Sequence, residues 1–554
     1  MKHLIYMAAG ALALMAVSCK PTELVPATSD TPLTSITAKV SINGYDNLEF
    51  IGYPDENRRV VIDFPWYYPE ASDNETQASA ITDAKVTANL ANNCIIKTPI
   101  TKLDLTQENR ITVVDQVKGE SEYIVTGNIR KSSACEITSF TLNGLGISGV
   151  IKAAEITVVS PDMLPAKSTA TVTLSPHATI SPDPATTELD YNQDVKFTVT
   201  AHDGTQQQYV VKKGVPAKLE FGMRERSAKV MFAKKLKSDL GISVDNLTTG
   251  CAVSGNYLAI NTRNEDILLI DRLTGEKKGT IALGSEFKGS LRNFYITSDD
   301  AGHIFMCNLV PNDGNVFKIW KINDVTSSPE LYLSWDAAGL AFGRKFSIRG
   351  NTDTNAVITA PCHTNPTSGF YRWTITNGVK PERPEWGSAT GIDWNSNVDL
   401  VYKTADPSSD YFVHCYSTNK LTWMDGATNT IKYQLGAIST NFIPNALDVV
   451  EFNGNYYLAA NQVNSFSWGG ADYVWLLDLA DANNFTGTLD LSDVPAVKWY
   501  SFNEYGAKAI GETYNGNGTA DVLLSVSDNG YYMYLYFLFT NGCVVGVQFD
   551  CIDM

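Results

Sequence analysis

The chain has 554 residues, 44% hydrophobic and 10% aromatic, enough apolar material for several packed cores, which excludes wholesale disorder. Its 43 Lys and Arg against 60 Asp and Glu leave a formal charge of −17. No basic run is long enough to attract a phosphate backbone, so nucleic acid is excluded as a partner. The first element in chain order is an export signal. Lys2 and His3 make a short polar start, Leu4 to Val17 is an apolar run too short to span a bilayer, and Ala16-Val17-Ser18-Cys19 matches a lipobox. Residues 1–19 are therefore expected to be a lipoprotein signal with Cys19 as the lipidated residue, an anchor that holds the protein on a membrane without inserting its body. Residues 20–34, rich in Pro, Thr and Ser, read as a flexible tether.

Beyond the tether, alternating runs of Val, Ile, Thr, Tyr and Phe are broken by Asn-Gly, Asp-Gly and Pro turns, and no segment sustains a helical period. The fold class is all-β. Residues 102–114 repeat in residues 188–200: Leu103, Asp104 and Gln107 correspond to Leu189, Asp190 and Gln193, and Tyr123-Ile124-Val125 to Tyr209-Val210-Val211. Each copy ends in two strands and suits a small β-sandwich of the immunoglobulin type, with boundaries at 35–131 and 135–216.

From residue 219 a different period appears. Tyr257, Ile304, Val357, Tyr411 and Tyr456 head second strands that recur every 45 to 54 residues, with about four strands per unit. This is the signature of a β-propeller over 219–554. Six blades fit, and seven is the alternative. The sixth unit lacks a fourth strand, and residues 228–236 are expected to supply it, paired with 543–549.

Eight cysteines follow Cys19. Export permits disulfides, but Cys307 and Cys415 sit inside apolar strand runs and read as small buried hydrophobes. No Cys or His spacing suggests a zinc site, no phosphate or dinucleotide fingerprint is present, and Asp313-Gly314-Asn315 is too little for a Ca²⁺ loop. No metal or cofactor is expected.

The lipobox Met15-Ala-Val-Ser-Cys19, the run Ile137-Thr-Ser-Phe-Thr-Leu-Asn-Gly144 and the run Phe197-Thr-Val-Thr-Ala-His-Asp-Gly204-Thr205 together resemble uncharacterised Bacteroidetes-type lipoproteins. In that group a lipobox is followed by one or two immunoglobulin-like modules and a C-terminal propeller. The resemblance implies a lipid anchor in the outer membrane and a glycan-capture context. Surface export in that group favours acidic residues after the lipidated Cys. Lys20-Pro21-Thr22-Glu23 has only one, which leaves the surface and periplasmic faces both open.

Trp320, Trp373, Trp423 and Trp475 fall in successive third strands and read as core, and Trp335, Trp386 and Trp499 near fourth strands as structural. Trp394 and Trp468 break the pattern. Asp299-Asp300 reads as a solvated turn, His303, His363 and His414 as packing or lining groups, and Ser525 and Ser527 as one polar strand face. Two insertions depart from the period: 462–472, carrying Trp468 beside Gly469-Gly470, and 503–519. In a propeller both emerge on one face, so a ligand site is expected there. Its candidate residues are Asn461, Trp468, Asn503, Tyr505, Glu512 and Tyr514, with Asn261, Asn308 and His363 extending a polar rim. The favoured function is non-catalytic binding of a glycan or other small ligand by an envelope lipoprotein. A protein-interaction or structural role in an outer-membrane complex is the first alternative, and a propeller glycosidase or lyase the second.

Overall fold

Short branched and aromatic runs alternating with polar residues favour pleated, half-buried strands. The computed structural model follows that pattern. It describes residues 30–288, 291–362, 364, 369–392, 397–415, 420–436, 445–488 and 494–553. Among them only two short 3-10 turns, Ala78–Ile81 and Ala482–Asn484, interrupt an all-β chain. The described residues fall into two compact units, divided between Val215 and Pro216.

In the first unit, one four-stranded sheet runs Tyr45–Gly52, Leu33–Ile42, Ala84–Leu90, Lys102–Leu103. A second runs Arg59–Pro65, Gly119–Arg130, Asn109–Asp115, Cys94–Ile96. Their alternate residues, among them Ile36, Ala38, Ile62, Phe64, Val113 and Tyr123, form one core. The second core is enclosed by a seven-stranded sheet that begins at Ala170–Leu174 and ends at Thr179–Ser181, around Phe140, Tyr191 and Phe197. The sequence repeat is also a repeat of contacts. Arg59 pairs in parallel with Ile124, and Glu155 in parallel with Val210, its partner's counterpart in the repeat. The Tyr123 hydroxyl accepts from Leu33 N (3.4 Å), and that of Tyr209 from Ile137 N (3.3 Å). Asp104 and Asp190 each accept from the main-chain N–H two residues on, at 3.0 Å.

In the second unit the described residues form six four-stranded antiparallel sheets. Their first strands are Thr248–Ser254, Tyr295–Ser298, Ser347–Gly350, Val398–Tyr402, Leu447–Phe452 and Ala520–Val526. Each lies against the next, and the sixth lies against the first, so the sheets close a propeller-like ring. The sixth sheet takes Lys229–Lys235 as its outer strand, in register from Lys229 opposite Gln548 to Lys235 opposite Cys543. Cores lie between neighbouring sheets, and Trp320, Trp373, Trp423 and Trp475 are all buried in them, as their common place in third strands implies.

First strands of neighbouring sheets form no backbone ladder, so side chains satisfy the groups that face across each junction. Cys251 N donates to Asp521 (2.8 Å), Val253 N to Ser298 Oγ (3.1 Å) and Gly350 N to Asp300 (2.9 Å). Ser347 Oγ donates to Leu400 O, Leu447 N to Asp399 (2.9 Å) and Leu524 N to Asp448 (2.7 Å). All six junctions are bridged in this way. The eight described cysteines are free thiols; Cys307 and Cys415 are buried.

Candidate functional site

Where the first strands end, the ring encloses a cavity of about 530 Å³. Every sheet contributes charge to its lining: Arg272, Asp300, Arg349, Lys403, Glu451 and Asp528, with Asp299, Asp399 and Asp448 beside them. Arg349, only 8% exposed, donates to Asp300 (3.0 Å) and to Asp448 (2.6 Å), tying the second sheet to the fifth across the third. A separate small pocket of about 10 Å³ lies towards the starts of the first strands, beside Lys345. There Lys345 Nζ donates to Asp521 (2.7 Å) and to Ala520 O (2.9 Å), over the Tyr295 ring, whose hydroxyl also donates to Asp521 (3.0 Å).

Burial raises the Asp399 carboxyl to about 7, against the opposing pull of Lys345. It raises Asp448 to about 6, against the pull of Arg349. Both groups hold their protons more tightly folded than unfolded. Their contribution to stability is therefore complete below about pH 4, the unfolded value, and is lost as pH rises through about 6 and about 7. Asp399→Asn is expected to flatten the fall in melting temperature between about pH 5 and pH 8. Thermal melts across that range check this, and an unchanged slope contradicts it.

The two insertions occupy the opposite face, where first strands start, and lie against each other. Asn515 N donates to Ser465 O (2.9 Å), and Lys508 Nζ donates to Gly469 O. Asp472, buried and with its carboxyl pushed up by desolvation, accepts from the main-chain N–H groups of Asn464 and Ser465 and from Ser465 Oγ. A Cβ at Gly506 would lie 2.2 Å from Asp472 Oδ2, so the second loop approaches the first as closely as only glycine allows. On this braced support Trp468 stands 64% exposed, stacked on Phe466 at 4.8 Å and 7°. Tyr514 (47% exposed) and Asn503 are also open to solvent.

Other sequence-expected residues are placed differently. Asn261, Asn308 and Asn461 do end second strands, but they are fully buried and clamp the main chain. Asn261 donates to Asn293 O (2.8 Å) and Asn308 to Val316 O (2.9 Å), while Asn461 accepts from Ala446 N (2.9 Å). The polar rim is therefore not made by these side chains. Tyr505 packs its ring on Phe537, and Glu512 is ion-paired with Lys237 at 3.1 Å. His363, Trp394 and Cys19 lie outside the described residues. His414 is buried and its imidazole is driven down to about 3 by desolvation, a packing group as expected.

The solvated turn expected at Asp299-Asp300 fits Asp300, whose side chain is 47% exposed, and needs correction at Asp299. Asp299 is buried, accepting from Thr352 Oγ1 (2.8 Å) and paired with His303 Nδ1 (2.9 Å), and Asp300 is held by Arg349. Sequence reading also missed Arg349 and the inner-strand aspartates. A signal was present: Asp399, Asp448 and Asp521 each stand second in a first strand, ahead of a Val or Leu run.

The model of a family described as Domain of unknown function (DUF8500) matches residues 230–550. Two further such families match beside it, DUF5018 over 14–127 and DUF8499 over 137–213. Among solved structures, a DUF4623 family protein from Bacteroides eggerthii is 17% identical with a TM-score of 0.47, covering 76% of this chain and 99% of its own. The Cps50 β-propeller domain of Myceliophteria thermophila is 12% identical with a TM-score of 0.29, covering 54% of this chain and 86% of its own. No curated protein matches the chain in sequence.

Proposed function

We propose that this chain, which belongs to the DUF8500 family, is a non-catalytic envelope lipoprotein whose second unit, read as a six-bladed propeller, binds a glycan. In this reading the first unit is two immunoglobulin-like modules, and a lipid on Cys19 tethers the protein to the outer membrane. Among the described residues no helix is long and apolar enough to cross a membrane.

The observation that carries the reading is Trp468. An indole left 64% exposed forgoes burial, yet its loop is braced by the buried Asp472 and by the neighbouring connection. A flat, pre-ordered aromatic face loses little conformational freedom on stacking against the apolar face of a pyranose ring. Tyr514 and Asn503 add hydroxyl and amide partners on the same loop pair. The carboxylates Asp399, Asp448 and Asp521 are engaged by main-chain N–H groups across the ring, a structural use that supports binding over catalysis. A protein-partner reading has its own support in Phe502, 68% exposed, with Tyr500 beside it at 6.0 Å.

A millimolar sugar complex is worth only about 4 kcal/mol, so removing a stacking face worth about 1.5–3 kcal/mol removes most of it. Trp468→Ala with Tyr514→Ala is expected to weaken any glycan found on an array by at least about ten-fold, with a melting temperature nearly unchanged. Binding that survives the pair places the site elsewhere. A pull-down that recovers a protein and loses it on Phe502→Ala, with no glycan bound, favours the second reading.

A further inference from the structure

We infer that the central cavity is a second ligand site, on the face opposite Trp468, and that it takes an uncharged, hydroxyl-rich molecule of one or two sugar rings. Its volume of about 530 Å³ falls in the range that encloses small ligands. Its wall is polar and carries both signs of charge, with carboxylates in excess. Arg349 is held between Asp300 and Asp448, and Asp299 by His303 and Thr352. Lys403 and Arg272 line it together with Glu451 and Asp528.

Carboxylates outnumber cations in this lining, so an anionic ligand is repelled, while Lys403 and Glu451 still have capacity for a neutral hydroxyl. The Lys403 ammonium lies 4.3 Å from the Tyr456 ring centre and makes no ion pair among the described residues, so its three N–H donors are open to a ligand. Glu451 takes one hydrogen bond, from the Tyr456 hydroxyl at 2.9 Å, and keeps its other oxygen. Within the wall, Arg349 Nε is buried without a hydrogen-bond partner. Lys403 and Glu451, both set against Tyr456, can form charge-assisted bonds to neutral hydroxyls without a counter-charge on the ligand. Among the described residues no group of three His, Cys, Asp or Glu could hold a metal ion, which sets this cavity apart from a cation site.

The test is calorimetric titration of the full-length protein with methyl glycosides of glucose, mannose and galactose, with methyl galacturonoside and methyl glucosaminide as charged comparators. At least one neutral glycoside is expected to bind, with affinity changing less than about two-fold between low and high salt. Lys403→Met with Glu451→Gln is expected to lower that affinity at least ten-fold. Both side chains are at the opening, and a thermal melt of the variant establishes that it is folded. Asp528→Asn is a second, milder variant, expected to weaken binding about three-fold. The inference is overturned if no neutral glycoside binds, if only a charged comparator binds, or if affinity falls with the Trp468 and Tyr514 pair and not with the cavity variants. The last outcome would leave the Trp468 platform standing alone.

Discussion

Deleting residues 220–238 is expected to destabilise the whole second unit rather than one sheet. This segment supplies the outer strand Lys229–Lys235 and straps the ring on both sides of its closure. Arg224 makes two hydrogen bonds to Asp550, at 2.7 and 2.6 Å, Gly222 N donates to Asn453 O (2.9 Å), and Met223 N donates to the Tyr457 hydroxyl (2.8 Å). Phe232 is buried against Gly546, where a Cβ would meet its ring at 2.5 Å. Without the strand, the outer edge from Cys543 to Gln548 is left unpaired, and a ring that closes through one strand loses closure as a unit. The expected result is loss of the cooperative transition, or a large fall in its midpoint. Because that deletion can abolish folding altogether, Phe232→Ala is the graded companion, expected to cost about 3–5 kcal/mol in a transition that stays single. An unchanged melting temperature in both variants contradicts the closure.

Lys345→Met is expected to destabilise the second unit by about 3–5 kcal/mol, and Asp521→Leu by a similar amount. Both partners are buried, and the pair is worth more intact than its desolvation suggests because its remaining valences are filled. Asp521 also receives Cys251 N and the Tyr295 hydroxyl, and Lys345 also donates to Ala520 O. Removing either partner strands an uncompensated buried charge. The double substitution removes both charges and is expected to cost clearly less than the sum of the singles. Chemical denaturation of the three variants checks this, and additive costs contradict it.

Much of the fold is legible in the sequence because its signals are periodic. The Tyr123 and Tyr209 repeat carries equivalent main-chain contacts in both copies, and tryptophans recurring in third strands point to the space between sheets. The missing outer strand was legible by subtraction, since a ring leaves no edge to spare. The ligand-facing chemistry was less so. Asn261, Asn308 and Asn461 look like a rim because they end second strands, but a strand end in this ring also needs a main-chain clamp, and a buried amide supplies one. Asp299 looks solvated beside the exposed Asp300 because the partner that helps bury it, Thr352, comes from beyond the next sheet's first strand. Periodicity locates strands; it does not say which side chains meet across a junction. The Trp468 loop was visible because an insertion breaks the period, whereas the cavity is built from positions that keep it.

The measurement that tests the account most directly is the structure of the full-length protein with the glycan it binds most tightly on an array. The expected result is a pyranose ring lying flat against the exposed face of Trp468, with Tyr514 or Asn503 bonded to its hydroxyls. Binding of no glycan at all, or a bound glycan that leaves Trp468 bare, would contradict it.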